Sequence, residues 1–214
     1  LHKFCGAETG VVGAGRTDAG VHALAQAAHI DLPKEYDPFI IVQGINFYLL
    51  NDGHNRISIL HAEPCADDFH ARFSALKRYY RYHIINRRPP LALDESRSWR
   101  VIEPLHLQAM QEAADMLAGT HDFTSFRDTQ CQAKSPLKTL DTLNIIQSGE
   151  RFYIDTSARS FLHHQVRIMV GTLVMVGKGK WSASDVRAAL EAKDRAKAGP
   201  TAPADGLYLV GVDY

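Results

Sequence analysis

What this chain lacks narrows its class before any motif is read. It has only three cysteines, Cys5, Cys65 and Cys131, spaced far apart with no C-x-x-C pair. Neither a disulfide framework nor a zinc site is indicated, and reduced, buried thiols are expected. It has no surplus charge, since 24 lysines and arginines face 24 aspartates and glutamates. With a pI of about 7.3, against values above about 9 for many nucleic-acid domains, any polyanion would have to be met by a local basic patch. Long apolar runs are missing too: the longest, Ile168 to Val176, is about half a membrane span. No charged n-region with an apolar h-region opens the sequence, so no leader is expected. A soluble, cytoplasmic protein with no membrane partner is the expectation.

Two nucleotide-binding signatures are also missing. Residues 13–22 form a glycine-rich stretch, Gly13-Ala14-Gly15-Arg16-Thr17-Asp18-Ala19-Gly20-Val21-His22. A dinucleotide fingerprint needs glycine at the sixth place of G-x-G-x-x-G, where this chain has Asp18. A P-loop needs Gly-Lys-Ser/Thr, which does not follow. The glycines instead allow a sharp turn or a close approach to a ligand. Arg16, two residues before Asp18, is expected to keep that carboxylate ionised. An ordinary surface turn with a local Arg–Asp pair is the plain alternative.

What is present is otherwise the composition of a globular enzyme: 45% hydrophobic and 22% charged residues, long enough for one or two domains. Residues 21–32 read equally as helix or strand. Asp37 and Pro38 mark an N-cap and first helical position, followed by an apolar stripe at Ile41, Ile45, Tyr48 and Leu49. Residues 56–63 alternate as a short strand. Residues 76–86 form an aromatic-rich strand, with Arg78, Tyr80, Tyr82 and Ile84 on one face and Lys77, Tyr79, Arg81 and His83 on the other. Leu105, Ala109, Ala113 and Leu117 mark a helix closed by Gly119. Strands at 137–147 and 151–158 join at Ser148-Gly149-Glu150, Leu162 to Gly177 has helical spacing, and Ser182 with Asp185 forms a capping box. A strand at 206–214 completes an α+β pattern. Pro89-Pro90 divides the chain into halves, 1–88 and 89–214.

The stretch Gly15 to His22 matches the hallmark G-R-T-D-A-G-V-H and so resembles the catalytic loop of the TruA family of tRNA pseudouridine synthases. The blocks Phe69-His70-Ala71-Arg72-Phe73-Ser74-Ala75 with Arg78, Tyr80, Arg81 and Tyr82, then Asp122 to Arg127, resemble further family segments. So do Phe161, His163-His164, Val166-Arg167 and Val170-Gly171, and finally 206–214. The resemblance implies strand for 21–32. It also implies the pseudouridine synthase fold, two ferredoxin-like halves around a mixed, mostly antiparallel sheet with a central cleft, residues 1–88 forming the catalytic-loop half. The implied activity is isomerisation of uridine to pseudouridine at positions 38, 39 and 40 of the tRNA anticodon stem-loop, with base flipping, no cofactor and no metal.

The same resemblance assigns roles. Asp18 is the catalytic aspartate, by attack on the ribose, attack on the ring, or assistance to elimination. Tyr80, Arg16 and Arg167 bind substrate. Arg16 either fills the space left by the flipped base or pairs with phosphate, and Arg167, on an apolar helix face, needs a partner that the family makes Asp18. RNA-binding stretches are Phe69, His70, Ala71, Arg72 and Phe73, then Arg88, then Gln130, Cys131, Gln132, Ala133 and Lys134. Arg72, Arg78, Arg81, Arg87 and Arg88 supply the expected basic patch.

His163 and His164 are expected to be structural, because neighbours on a helix point about 100° apart and no H-E-x-x-H accompanies them. Alternative classes are a non-catalytic RNA-binding module and a metal-dependent hydrolase. The resemblance also implies a homodimer with one tRNA lying across both subunits; neutral net charge fits this, because pairing two modest basic faces builds a positive channel that one subunit lacks. Family members carry a further strand and helix before the catalytic loop, so residues ahead of Leu1 are expected to be missing.

Overall fold

In a computed structural model, residues 1–54 and 56–214 are described. The elements in chain order are α1 (His2–Cys5), β1 (Val11–Gly13), β2 (His22–Ala23), β3 (Ala28–Ile30), α2 (Pro38–Asn51), β4 (Lys77–Asn86) and β5 (Trp99–Val101). Then come α3 (Leu107–Asp115), β6 (Gly119–Asp122), β7 (Leu137–Ser148), β8 (Arg151–Ala158), α4 (Gln165–Gly177), α5 (Ala183–Glu191) and β9 (Leu207–Asp213). Two compact units result: Leu1–Gly15 with Ala27–Ser74, and Arg16–Gln26 with Ala75–Tyr214. This grouping divides the chain at other places than 1–88 and 89–214. β4, which precedes Pro89-Pro90, is hydrogen-bonded to β8 and β9, which follow it.

In the first unit, β1 and β3 pair antiparallel. α2 starts where expected: the Asp37 carboxylate accepts from the Phe39 amide, and Pro38, which has no N–H to satisfy, occupies the first turn. The apolar stripe of α2 is its half-buried face. The strand expected at 56–63 does not form over its described residues. Its ladder is replaced by one side chain: Asn46 donates to the Ile59 carbonyl and accepts from the Ile59 amide, both at 2.8 Å. With those groups satisfied, alternation alone does not make a strand.

The second unit is built on a mixed, mostly antiparallel sheet in the order β2-β9-β4-β8-β7-β6, with β5 beside β4. Only β2–β9 and β4–β5 are parallel. The β7–β8 hairpin turns at Gly149, whose φ of 61° suits glycine. Tyr82 and Ile84 of β4, Leu143 and Ile145 of β7, and Phe152 and Ile154 of β8 face α3 and α4. There they enclose Met110, Ala113, Leu117, Ile168, Met169, Val170 and Leu173. α4 is apolar nearly all round because it is buried nearly all round. Ser182 and Asp185 form the expected reciprocal cap of α5. The helix α3 caps at Met116, not at Gly119; Gly119 opens β6 instead, with φ of 91°.

The two faces of β4 divide its tyrosines. Tyr82 is fully buried and donates to the Pro203 carbonyl; burial pushes its hydroxyl well above the ordinary range. Tyr79, on the opposite face, donates to the Asp213 carboxylate at 2.6 Å. Both are thereby committed to holding the sheet, which leaves Tyr80.

Candidate active site

The glycine-rich loop is fixed at its far end and by a turn within it. At its far end His22 and Ala23 pair with Tyr208 and Leu209 of β9, and the His22 ring stacks on Tyr208 at 4.6 Å within hydrogen-bonding distance of the Ser96 carbonyl, 2.9 Å. Within the loop the Val21 amide donates to the Asp18 carbonyl, closing a four-residue turn. Gly20 takes the third place of that turn with φ of 84°, the position that asks for glycine. A Cβ there would lie 3.1 Å from Asp205 and 3.2 Å from Ala204.

Asp18, carried by this turn, meets the N-terminal end of α4. Arg167 Nη1 donates to Asp18 Oδ2 at 3.2 Å while its Nε donates to the Ala202 carbonyl. His164 Nε2 stands 2.9 Å from the same Oδ2, and His163 Nε2 stands 3.3 Å from Oδ1. The imidazoles stack at 3.9 Å. Behind them lies a second carboxylate: Asp128 Oδ2 is 2.7 Å from His164 Nδ1. The Asp128 amide donates to the His163 carbonyl, and the Gln130 amide donates to Asp128, which holds that carboxyl below the usual range.

The expected Asp18–Arg167 pair is therefore present, 149 positions apart in sequence. Arg16 departs from expectation. It is exposed, and among the described residues it makes no ion pair with Asp18; the fixed charge facing that carboxylate comes from Arg167. Tyr80 is half-buried, edge-on to Phe161 at 5.2 Å. Burial chiefly, with Asp18 nearby, pushes its hydroxyl up and keeps it a phenol.

His163 and His164, read from sequence as structural, stand on the aspartate instead, and Asp128 was not singled out at all. Its only sequence signal is position, one residue beyond the Asp122–Arg127 block. Ligand atoms of Asp18, His163 and His164 lie within 4.8 Å of one another, close enough for a metal ion. Arg167 on the same carboxylate oxygen and Asp128 on the other nitrogen of His164 make a polar contact network the better reading, because a cation would face the guanidinium.

The expected RNA-binding stretches fall in different places. Gln130 to Lys134 follow Asp128 directly; Gln130, Gln132 and Lys134 are exposed, and Cys131 Sγ accepts from the His163 amide. Phe69 to Phe73 belong to the first unit. There His29 and His70 ring nitrogens accept from the amides of Ala71, Arg72 and Phe73, a local frame that leaves the Phe73 ring 74% exposed. Arg88 is exposed. The basic patch is smaller than expected, because Arg81 forms a two-pronged pair with Asp155 and Arg87 pairs with Glu150.

A carboxylate held by an arginine and two imidazoles, with an aromatic pair nearby, is the candidate active site of an enzyme. Residues 113–214 match the family model described as tRNA pseudouridine synthase. Relatives named tRNA pseudouridine synthase A include those of Xanthobacter autotrophicus, 55% identical over 99% of this chain and 85% of the relative, and Rhodopseudomonas palustris strain BisA53, 58% identical over 99% and 85%. The Caulobacter vibrioides relative is 53% identical over the whole chain and 85% of its own length. The chain belongs to the tRNA pseudouridine synthase family, and its α+β sheet is that family's fold. Among the described residues, no helix is long and apolar enough to cross a membrane.

Proposed function

We infer that this protein isomerises uridine to pseudouridine in the anticodon stem-loop of tRNA, at positions 38 to 40, with Asp18 as the nucleophile. The reaction breaks the bond from ribose C1′ to uracil N1 and forms one from C1′ to C5. C5 loses a proton and N1 gains one, so neither electrons nor groups are exchanged with a cofactor. What carries the reading is the Asp18 carboxylate of the G-R-T-D-A-G-V-H loop, which accepts from Arg167 at 3.2 Å. An RNA-binding module has no use for such an arrangement.

The surrounding groups divide the work. Tyr80 with Phe161 offers an aromatic wall for an unstacked uracil, an interaction worth roughly 1–3 kcal/mol per base. Exposed Arg16 enters the space the flipped base leaves. Gln130, Gln132 and Lys134 on one side, and Arg72, Phe73 and Arg88 elsewhere, meet the RNA. The protein acts in the cytoplasm as a homodimer, whose paired basic faces offset the zero net charge of one chain. Incubating unmodified tRNA transcripts with the protein and mapping pseudouridine tests the activity; transcripts left unmodified would refute it. Sedimentation tests the dimer, and fully active monomers would exclude it.

For Arg16→Ala the expected outcome is a large loss of turnover with tRNA affinity nearly kept. The measurement is affinity against salt. Losing one phosphate contact lowers the slope of log K against log salt by about 0.7–0.9, whereas loss of a base-replacing side chain leaves it almost unchanged. A shallower slope at an unchanged rate would reassign Arg16 to the phosphate backbone.

A further inference from the structure

Asp128, His164, Asp18 and Arg167 form a continuous line of contacts. His164 has one ring nitrogen 2.7 Å from Asp128 Oδ2 and the other 2.9 Å from Asp18 Oδ2. Carboxylates only accept hydrogen bonds, and a neutral imidazole has one N–H. The Asp128 contact is a hydrogen bond; the other nitrogen stands 2.9 Å from a carboxylate oxygen, where a bare lone pair would be repelled and an N–H is attracted, so the two contacts together favour a ring that carries both protons. His163 is the poorer candidate for that charge: its contacts are longer, 3.3 and 3.9 Å, and its side chain is 38% exposed against 21%. Two stacked imidazolium rings would repel.

We propose, resting on the assignment of Asp18 above, that His164 is a positioning residue for the isomerisation. As an imidazolium braced by Asp128, it holds Asp18 by Oδ2 together with Arg167 and turns Oδ1 toward the ribose. The charged groups facing the ring are Asp18 from the glycine-rich loop, Asp128 from the segment before β7, and His163 and Arg167 from its own strand-to-helix junction and α4. Asp128 is itself anchored: its amide donates to the His163 carbonyl, and its Oδ1 accepts from the Gln130 amide. His164 has φ of 60° at the start of α4, a conformation non-glycine residues adopt at some cost. That cost is offset if the ring is wanted on two carboxylates at once.

The test uses a substitution that keeps the backbone. His164→Asn tolerates the left-handed conformation and suits a helix N-cap, yet its short amide does not span two carboxylates. Turnover of tRNA is expected to fall about a hundredfold, the scale of a misplacement near 1 Å, with KM within about twofold. Asp128→Asn, which keeps the Gln130 contact, is expected to cost about tenfold. The double variant should be no slower than His164→Asn, because Asp128 acts through the ring; groups that merely stabilise the fold would multiply their losses. Nitrogen-15 spectra should show two N–H protons on His164 in the wild type at neutral pH.

A His164→Asn enzyme within threefold of wild type, multiplying losses, or a singly protonated ring would each overturn the role. Should His164→Asn not fold, Asp128→Asn and the spectra decide. An inactive wild type would instead bring down the functional assignment on which the role rests.

Discussion

Asp18→Asn is expected to lower the single-turnover rate by about a thousandfold or more, the scale on which a lone nucleophile is missed, while the fold and tRNA affinity persist. Asparagine keeps the volume and can still accept a hydrogen bond from Arg167, so the loop stays in place through Gly20, His22 and β9. What disappears is the negative charge to which the proposed mechanism assigns the attack. Affinity for tRNA should hold or rise slightly, since one anion is removed from a surface that meets phosphates. Rapid-quench mapping of pseudouridine on one tRNA transcript measures the rate. A value within tenfold of wild type would show that another group performs the chemistry.

Gly171→Ala should be the most damaging single methyl in the structure. A Cβ on Gly171 would stand 1.8 Å from the Pro200 carbonyl oxygen and 2.9 Å from its carbon, both backbone atoms that no rotamer change removes. Across the same contact the Gly199 amide donates to Thr172 Oγ1, and a Cβ there would meet Thr172 at 2.7 Å. Forcing the two chains apart should cost about 3 kcal/mol, the upper end for overpacking, outweighing the helix propensity gained. The loss should extend to activity, because Ala202 exchanges hydrogen bonds with Arg167 in both directions. Thermal unfolding and turnover of the folded fraction measure the two effects. An unchanged melting temperature would mean that residues 199–202 can move away at no cost.

Much of this was legible from residue types. The loop motif pointed to Asp18, and an arginine on an apolar helix demanded a partner, which proved to be that aspartate. The strands at β4, β7, β8 and β9 and the caps at Asp37 and Ser182 followed from alternation and side-chain chemistry. What escaped depended on geometry that periodicity does not carry. His163 and His164 were separated by assuming helical neighbours; His164 is outside the helix with a left-handed backbone, and that places the rings in a stack. Arg16 was paired with Asp18 because it is near in sequence, whereas the charge comes from across the fold. The failed strand at 56–63 had the right alternation, but Asn46 satisfied its backbone groups first.

The segment from Gly199 to Asp213 touches both halves of the ion pair: Ala202 grips Arg167, Ala204 and Asp205 lie against Gly20, and β9 holds His22. During synthesis, then, the ribosome makes Asp18 and Arg167 well before it makes the template that aligns them. A nascent chain that has reached α5 already carries Asp18, Tyr80 and Arg167 but lacks the segment that holds the loop and Arg167 in place. The proposed centre is thus aligned only once β9 has paired between β2 and β4, which makes its assembly a late event in synthesis.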